Sequence, residues 1–268
     1  MLKVITLGQF FPGNSPVHRL DPRTKILLLI AYIVALFTAS DWISYAVVFA
    51  FLALSIAVSG IAVKSILHGM KPLVVVLIFT GVLNIFFTTG ETVILRFWII
   101  TVYLEGIVRA FFMVSRILML IAGTFLLTYT TSPISLTDGL ESLLNPLKVL
   151  RLPVHELSMM MCIALRFIPT LIEETDKIMA AQKARGADFE TGKLLDRVKA
   201  LVPILVPLFI SAFRRADELA TAMECRCYHG GEGRTKMKLL RFRLWDFKAF
   251  LLGGILLIAV FALRSFGL

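Results

Sequence analysis

The sequence predicts an all-α, multi-pass membrane protein, and three observations support that prediction. Of its 268 residues, 58% are hydrophobic and the mean hydropathy is +0.85, which is too apolar for a soluble domain. Several apolar runs approach the ~20 residues that a helix needs to cross a bilayer. The formal charge is +10, and the basic residues cluster between particular runs, as they do on the cytoplasmic side of membrane proteins.

About five apolar runs are predicted to be transmembrane helices. Asp21 before Pro22 is typical of an N-cap followed by proline at the first helical position, so a helix begins there. The predicted spans are residues 26–40, 42–60, 72–89, 106–130 and 245–263. Residues 90–104 are β-branched and aromatic and too short to cross as a helix, which predicts an extracellular or re-entrant hairpin.

The composition changes after Thr130, where charged residues and prolines become frequent. The helices predicted in this region are residues 132–144, 153–167, 169–183 and 214–228. Pro169 is expected to separate the second from the third. The apolar run 194–213 contains two prolines and is flanked by basic residues, which favours a helix lying in the membrane boundary.

The distribution of charge predicts the domains and the orientation. All but four of the 28 Lys and Arg fall on one side; the exceptions are Arg96, Arg109, Arg116 and Arg264. This bias predicts a cytoplasmic amino terminus and an external carboxyl terminus. The predicted domains are a membrane region with four spans, a cytoplasmic domain of long helices and a last transmembrane helix, at residues 1–131, 132–244 and 245–268.

Two arginines lie inside the fourth predicted span, Arg109 and Arg116, and their spacing places them on one helix face. Glu105 could pair with Arg109, while Arg116 packs against another subunit or reaches the membrane interface. The more specific alternative is a substrate path lined by both arginines. The first interpretation is favoured, because no acidic residue occurs deeper in any predicted span.

Two predicted helices end in an arginine between two small residues, as Ala184-Arg185-Gly186 and as Cys225-Arg226-Cys227. Guanidinium offers a planar fork of donors suited to carboxylates, and small neighbours let a partner surface approach the backbone. A glycine after the arginine also suits the left-handed end of a helix. Each arginine could instead only offset the negative end of its own helix. The two similar copies favour docking to a partner protein.

Other clusters give little sign of catalysis. No nucleotide-binding, zinc-protease or nucleophile-elbow motif occurs, so the sequence predicts neither an enzyme nor a cofactor. Cys225, Cys227 and His229 resemble a metal site, but three ligands seldom make a structural zinc site. The cysteines are therefore interpreted as small residues beside Arg226. The basic linker 234–243 is adjacent to a span, which favours anionic lipid over nucleic acid as its partner.

Several motifs together resemble the transmembrane T component of energy-coupling factor transporters, and the resemblance covers nearly the whole chain in the right order. They are His18-Arg19-Leu20-Asp21-Pro22-Arg23-Thr24-Lys25, Thr130-Thr131-Ser132-Pro133, Leu152-Pro153-Val154-His155-Glu156-Leu157, Ala164-Leu165-Arg166-Phe167-Ile168-Pro169 and Ala184-Arg185-Gly186-Ala187-Asp188. The second arginine motif departs from the family's usual Ala-Arg-Gly, so the helix end at Cys227 is less certain.

The resemblance implies a non-catalytic subunit of an importer for a vitamin or a transition-metal ion in a prokaryotic cell membrane. It implies that the two arginine motifs dock into two cytoplasmic ATPase subunits of the ATP-binding cassette type. It also implies a membrane-embedded, substrate-binding S component. An apolar stripe at three-four spacing, with an adjacent methionine, is the predicted contact for that component: Leu157, Met160, Met161, Ala164, Ile168 and Leu171.

Two other classes of function remain as alternatives. A stand-alone secondary transporter or channel would need ionisable or broken-helix sites at mid-membrane, ideally in two related halves. A membrane-embedded enzyme would have to use Cys225, Cys227 and His229. A transport assay with this chain alone would separate the first alternative from a subunit of a larger importer, and replacing the three side chains would test the second.

Overall fold

The computed structural model describes residues 10–90, 92–97, 100–150, 153–187, 194–230 and 239–266. Some of the predictions above fall on positions outside these residues. Those positions are residues 1–9, Leu152, Asp188 and the part of the basic linker before residue 239.

The all-α prediction is confirmed: the described residues are almost entirely helical, with a single pair of short strands. In chain order the elements are α1 (Pro22–Thr38), α2 (Trp42–Ser59), α3 (Val63–Met70), α4 (Val74–Phe87), β1 (Val93–Phe97), β2 (Ile100–Tyr103), α5 (Leu104–Thr130), α6 (Pro133–Leu144), α7 (Val154–Ala184), α8 (Leu194–Cys225) and α9 (Leu244–Phe266).

Five segments of the described chain are long and apolar enough to cross a membrane, which agrees with the predicted number of spans. They are α2, α5, α7, Leu244–Ser265 of α9, and the continuous segment Val63–Phe87. That segment consists of α3, a 3-10 turn at Lys71–Leu73 and α4. The identity of the five segments differs from the prediction at two helices. α1 is not among them, because it has only 17 residues and its first turn is polar. α7 is among them, because its charged residues gather in its second half and leave an apolar first half.

Pro169 does not end its helix, contrary to the prediction, and the predicted helices 194–213 and 214–228 are also continuous. Pro169 lies inside α7, and Pro203 and Pro207 lie inside α8. Each proline removes one backbone hydrogen bond, which bends a helix, but the flanking turns keep theirs and the helix continues. The predicted helices 153–167 and 169–183 are therefore one helix of 31 residues, and 194–213 and 214–228 form one of 32 residues.

The chain divides into two compact units, of which one contains α7 and α8 and the other contains α1–α5, most of α6, and α9. In the second unit, α1 lies against α2, α5 and α9. The hydroxyl of Tyr32 in α1 donates to the Met119 carbonyl of α5 at 2.9 Å. A Cβ at Gly123 would lie 2.7 Å from a carbon of the Tyr32 ring. The close approach of α1 to α5 therefore depends on a glycine at position 123.

Two paired strands occur within the stretch 90–104, as predicted, and its extracellular or re-entrant location stays a prediction. β1 and β2 pair antiparallel, with Phe97 opposite Ile100 and an irregularity between Val93 and Leu95. Glu105, the predicted partner of Arg109, instead accepts hydrogen bonds from the Thr92 hydroxyl at 2.8 Å and the Thr92 backbone N–H at 3.2 Å. These hydrogen bonds hold Thr92, the residue before β1, against the start of α5.

Arg116 stabilises the end of α1. Its Nη2 donates to the carbonyl oxygen of Ala39, the C-cap residue of that helix, at 3.1 Å. The guanidinium carbon lies 5.6 Å from the ring centroid of Phe37 and 5.7 Å from that of Tyr45. A cation at the carbonyl end of a helix and over aromatic faces is favourable. These contacts favour a packing role for Arg116.

Two aspartates join the beginnings of α1 and α9. Asp21 is the N-cap of α1 and accepts the Arg23 backbone N–H at 2.9 Å, as the sequence predicts. The carboxylate of Asp246 is buried, and it accepts the backbone N–H of Asp21 at 2.8 Å and that of Arg243 at 2.7 Å. One carboxylate therefore satisfies a backbone donor at the start of both helices.

We expect Asp246→Ala to lower the free energy of unfolding by ~3 kcal/mol, because one buried and one part-buried N–H group lose a charged acceptor. Thermal unfolding of the purified protein in detergent measures the change. Asp41→Ala is the matched control, since Asp41 precedes α2 without making a side-chain capping hydrogen bond, and its expected effect is within ~0.5 kcal/mol. Equal effects of the two substitutions would contradict the joining role of Asp246.

Candidate functional site

α7 and α8 form a pair held by polar contacts along its length. Glu174 of α7 accepts hydrogen bonds from the Ser211 hydroxyl at 2.6 Å and from Arg215 Nη2 at 2.5 Å. Further along α7, Gln182 Nε2 donates to the Pro203 carbonyl at 3.4 Å. The contacts move forward along α7 as they move backward along α8, so the two helices run in opposite directions. Their carboxyl ends therefore lie at opposite ends of the pair.

The first arginine motif forms a Schellman cap at the end of α7. Gly186 has φ +86°, which is a left-handed conformation that favours glycine. Its N–H donates to the Lys183 carbonyl at 3.0 Å, and the Ala187 N–H donates to the Gln182 carbonyl at 3.0 Å. These two bonds close the last turn of the helix. Arg185 is placed just before the left-handed residue and is exposed.

The second arginine motif forms the same cap at the end of α8, although it lacks the glycine. Cys227 has φ 56°, and it is the one non-glycine residue with positive φ in the part of the chain that the structure describes. Its N–H donates to the Glu224 carbonyl at 2.8 Å, and the Tyr228 N–H donates to the Met223 carbonyl at 3.0 Å. The helix end that the sequence left uncertain therefore has the geometry of the first, with Arg226 in the position of Arg185.

The two caps expose an arginine between small residues at two well-separated positions. All six residues of the arginine motifs predicted from the sequence are exposed: Ala184, Arg185, Gly186, Cys225, Arg226 and Cys227. At 1.5 Å per residue, a helix of the length of α7 measures ~45 Å, so the two guanidinium groups are tens of ångströms apart. They can therefore contact two separate partner surfaces and are too far apart to share one small ligand.

The predicted apolar stripe lies along the first half of α7. Leu157, Met160 and Met161 are each about half exposed, at 50%, 54% and 46%, and Ala164 is exposed as well. Ile168 and Leu171 are half-buried, closer to Glu174, where α8 packs. The structure therefore places all six stripe residues on one helix and leaves four of them open.

The beginning of α7 is fixed by a carboxylate that sequence reasoning missed. Glu141 in the last turn of α6 accepts hydrogen bonds from His155 Nδ1 at 3.1 Å and from the Ser158 hydroxyl at 3.0 Å. His155 belongs to a motif of the family, but nothing in the spacing of the sequence points to Glu141 as its partner. This contact holds the first turns of α7 against Glu141.

The thiols beside Arg226 are free. Cys225 and Cys227 are exposed and make no disulfide. Within the described ranges, no three His, Cys, Asp or Glu side chains come together in an arrangement that could hold a metal ion. The geometry of Cys227 is fully explained by its place in the helix cap.

We expect Cys227→Gly to stabilise the second cap by ~1 kcal/mol, because a residue with a Cβ pays a steric cost in the left-handed conformation. Hydrogen exchange measures this locally: the Tyr228 N–H should be protected about fivefold more. Gly186→Ala should have the opposite effect on the Ala187 N–H. Cys225→Ala lies two residues before Cys227 and should change neither, and both cysteine variants should keep their binding to partner proteins. A loss of Tyr228 protection in Cys227→Gly would contradict the cap.

These features define a multi-pass α-helical membrane protein that carries a pair of long helices with exposed arginine caps. The chain belongs to the cobalt transport protein family CbiQ, whose family model matches residues 13–237. It is the transmembrane component of an energy-coupling factor transporter, as its close similarity to curated proteins of that name shows.

Three relatives, each named energy-coupling factor transporter transmembrane protein EcfT, illustrate this similarity. The protein from Thermosediminibacter oceani is 55% identical over 255 residues, which are 95% of this chain and 96% of the relative. The Clostridium kluyveri protein is 56% identical over 250 residues, 93% of each chain. The Bacillus subtilis protein is 49% identical over 240 residues, 90% of this chain and 91% of the relative.

Proposed function

We propose that this chain is the non-catalytic coupling subunit of an importer, and that it transmits the motion of two cytoplasmic ATPases to a substrate-binding S component. The substrate class that the family resemblance implies is a vitamin or a transition-metal ion. The observation that carries the proposal is the pair of matching arginine caps. They end α7 and α8 and lie at opposite ends of this antiparallel helix pair. Two similar arginine caps, tens of ångströms apart, fit two similar binding clefts on a pair of ATPase subunits.

The chemistry of each ATPase cleft follows from the chemistry of the arginine cap that it binds. An exposed guanidinium beside a small residue and a tight backbone turn can enter a cleft lined by carboxylates and form a bidentate pair. Because each arginine lies at the end of a helix of more than 30 residues, movement of the ATPase cleft that binds it displaces the whole helix. Binding and hydrolysis of ATP would then occur in the partners, and this chain would move with them.

The open part of the apolar stripe supports the second contact. Leu157, Met160 and Met161 expose about half of their surface and lie on the helix that ends at Arg185. A partner that covers these side chains would move when the first cap moves. Methionine side chains adapt to different surfaces, which suits a subunit that accepts more than one S component.

Purification from native membrane tests the proposal. A tagged copy of this chain, extracted in mild detergent, should retain two ATP-binding cassette subunits and an S component, all identifiable by mass spectrometry. Transport by this chain alone in proteoliposomes would contradict the proposal and support a stand-alone secondary transporter. The complete complex should instead transport only with ATP present.

We further propose that the amino terminus is cytoplasmic and the carboxyl terminus external, from the one-sided distribution of the 28 basic residues. Cysteines introduced at Lys3 and Gly267, in a variant with the native cysteines replaced, should react with an impermeant maleimide from opposite sides of the membrane. Labelling of both from the same side would contradict an odd number of spans.

A further inference from the structure

An apolar groove of about 330 Å³ lies in the unit that contains α1, α2, α5 and α9. Its walls carry large apolar side chains from all four helices, among them Leu28, Phe51, Leu52, Leu126 and Leu252. The groove extends along α1 from Lys25 to Tyr32, which is two helical turns or ~10 Å. Its shape and lining fit a hydrocarbon chain.

One end of the groove contains a buried lysine. The side chain of Lys25 lies in the wall and is only 7% exposed. Its Nζ donates to the Thr130 carbonyl at 2.8 Å and to the Thr131 hydroxyl at 3.1 Å. These acceptors satisfy its hydrogen bonds but carry no charge. The carboxylates of Asp21 and Asp246 accept hydrogen bonds from other groups, but they interact electrostatically with Lys25 and offset part of its charge.

The rim at the same end combines a second cation with an aromatic ring. Lys248 is exposed, and its Nζ lies 4.9 Å from the centroid of the Trp245 ring. Trp245 is 52% exposed, and both residues line the groove. An indole and a lysine at the polar end of an apolar surface are typical of the level of lipid headgroups.

We propose that this groove binds an anionic glycerophospholipid. One acyl chain lies between α1, α2, α5 and α9, and the phosphate lies beside Lys248 at the end where Lys25 is buried. Charge complementarity selects the headgroup: the exposed Lys248 at the polar end favours a lipid with net negative charge over a zwitterionic one, whose own cation offsets its phosphate. The bound lipid would fasten the beginnings of α1 and α9 to the bilayer.

Tryptophan quenching by brominated lipids tests the proposal on the full-length chain. Trp42→Phe and Trp98→Phe leave Trp245 as the sole tryptophan, at the mouth of the groove. In bilayers of phosphatidylcholine, phosphatidylglycerol with brominated acyl chains should quench Trp245 with at least a fivefold higher relative association constant than brominated phosphatidylcholine. Lys248→Met should lower this preference about fivefold, because it removes one charge at the surface.

Matched variants distinguish lipid binding in this groove from a general effect of surface charge. Lys64→Met removes the same charge from an exposed position on α3 that does not line the groove, and it should keep the preference. Ala249→Phe fills the groove and should abolish it, whereas Ala262→Phe, elsewhere on α9, should not. Equal quenching by the two lipids, or an equal effect of Lys64→Met and Lys248→Met, would overturn the proposal. So would shielding of Trp245 from both lipids in the complete transporter, because a protein would then cover the groove.

Discussion

Arg185→Ala together with Arg226→Ala is expected to abolish binding of the ATPase subunits. Each arginine is the exposed tip of a helix cap, and its proposed partner is a carboxylate buried in the complex. Loss of one member of such a pair costs ~2–5 kcal/mol, partly because the other charge stays buried without a partner. Each single substitution should therefore weaken binding, and the double substitution should leave no ATPase in a pull-down from detergent extract.

The lysine variants serve as controls for charge. Arg185→Lys and Arg226→Lys keep the charge but lose the planar fork, so they should bind with intermediate affinity. Both arginines are exposed in the isolated chain, so the alanine variants should fold normally, and their thermal unfolding should match that of the wild type. ATPase recovered with the double variant at the wild-type yield would contradict the docking role of the caps.

Met161→Asp together with Ile168→Asp is expected to release the S component while the ATPases stay bound. A carboxylate on this stripe would be buried against the partner without a compensating charge, and this is costly for binding. Both positions lie on α7 well before its cap, so the caps keep their geometry. Purified complexes should contain the two ATPases without the S component.

Two further variants keep this result interpretable. Ile168 is half-buried, so an aspartate there also costs some stability of the chain itself. Met160→Asp with Met161→Asp avoids this, because both side chains are about half exposed, and it should release the S component equally. Met161→Leu with Ile168→Leu keeps the stripe apolar and should retain the component. Loss of the ATPases with retention of the S component would mean that the two contacts are assigned the wrong way round.

The arginine caps were predictable because their signal is local. An arginine between small residues, repeated in two helices, already points to two similar helix ends. The left-handed conformation of Cys227 could not be predicted in the same way, since a cysteine seldom adopts it. The Schellman bonds of the preceding turn hold Cys227 there, and those bonds are formed by the backbone, whatever the side chain.

Pro169 misled the prediction because its effect depends on the surrounding packing. A proline removes one backbone hydrogen bond, and a sequence alone does not show whether the helix continues beyond it. In the structure, Glu174 bonds to Ser211 and Arg215 across the pair. The turns beyond the proline in α7 are thereby held against α8.

Long-range carboxylate contacts lay beyond the reach of sequence reasoning for a similar reason. Asp21 was recognised as an N-cap because its partner is two residues away. The buried bond from the Asp21 backbone to Asp246 joins residues 225 positions apart. Glu141 likewise meets Ser158 only after the chain turns between α6 and α7. No periodicity or propensity reports such pairs, although they hold the first turns of α9 and α7 in place.

Photocrosslinking in the intact membrane tests the coupling role most directly. A photoreactive amino acid would replace Lys183 or Glu224, exposed residues that each precede an arginine by one intervening residue, or Met160 on the apolar stripe. The probes at 183 and 224 should crosslink to ATPase subunits, and the probe at 160 should crosslink to the S component. Crosslinks from 183 and 224 to lipid or to the S component alone, with none to an ATPase, would contradict the proposal that the two caps are the points of contact with the ATPases.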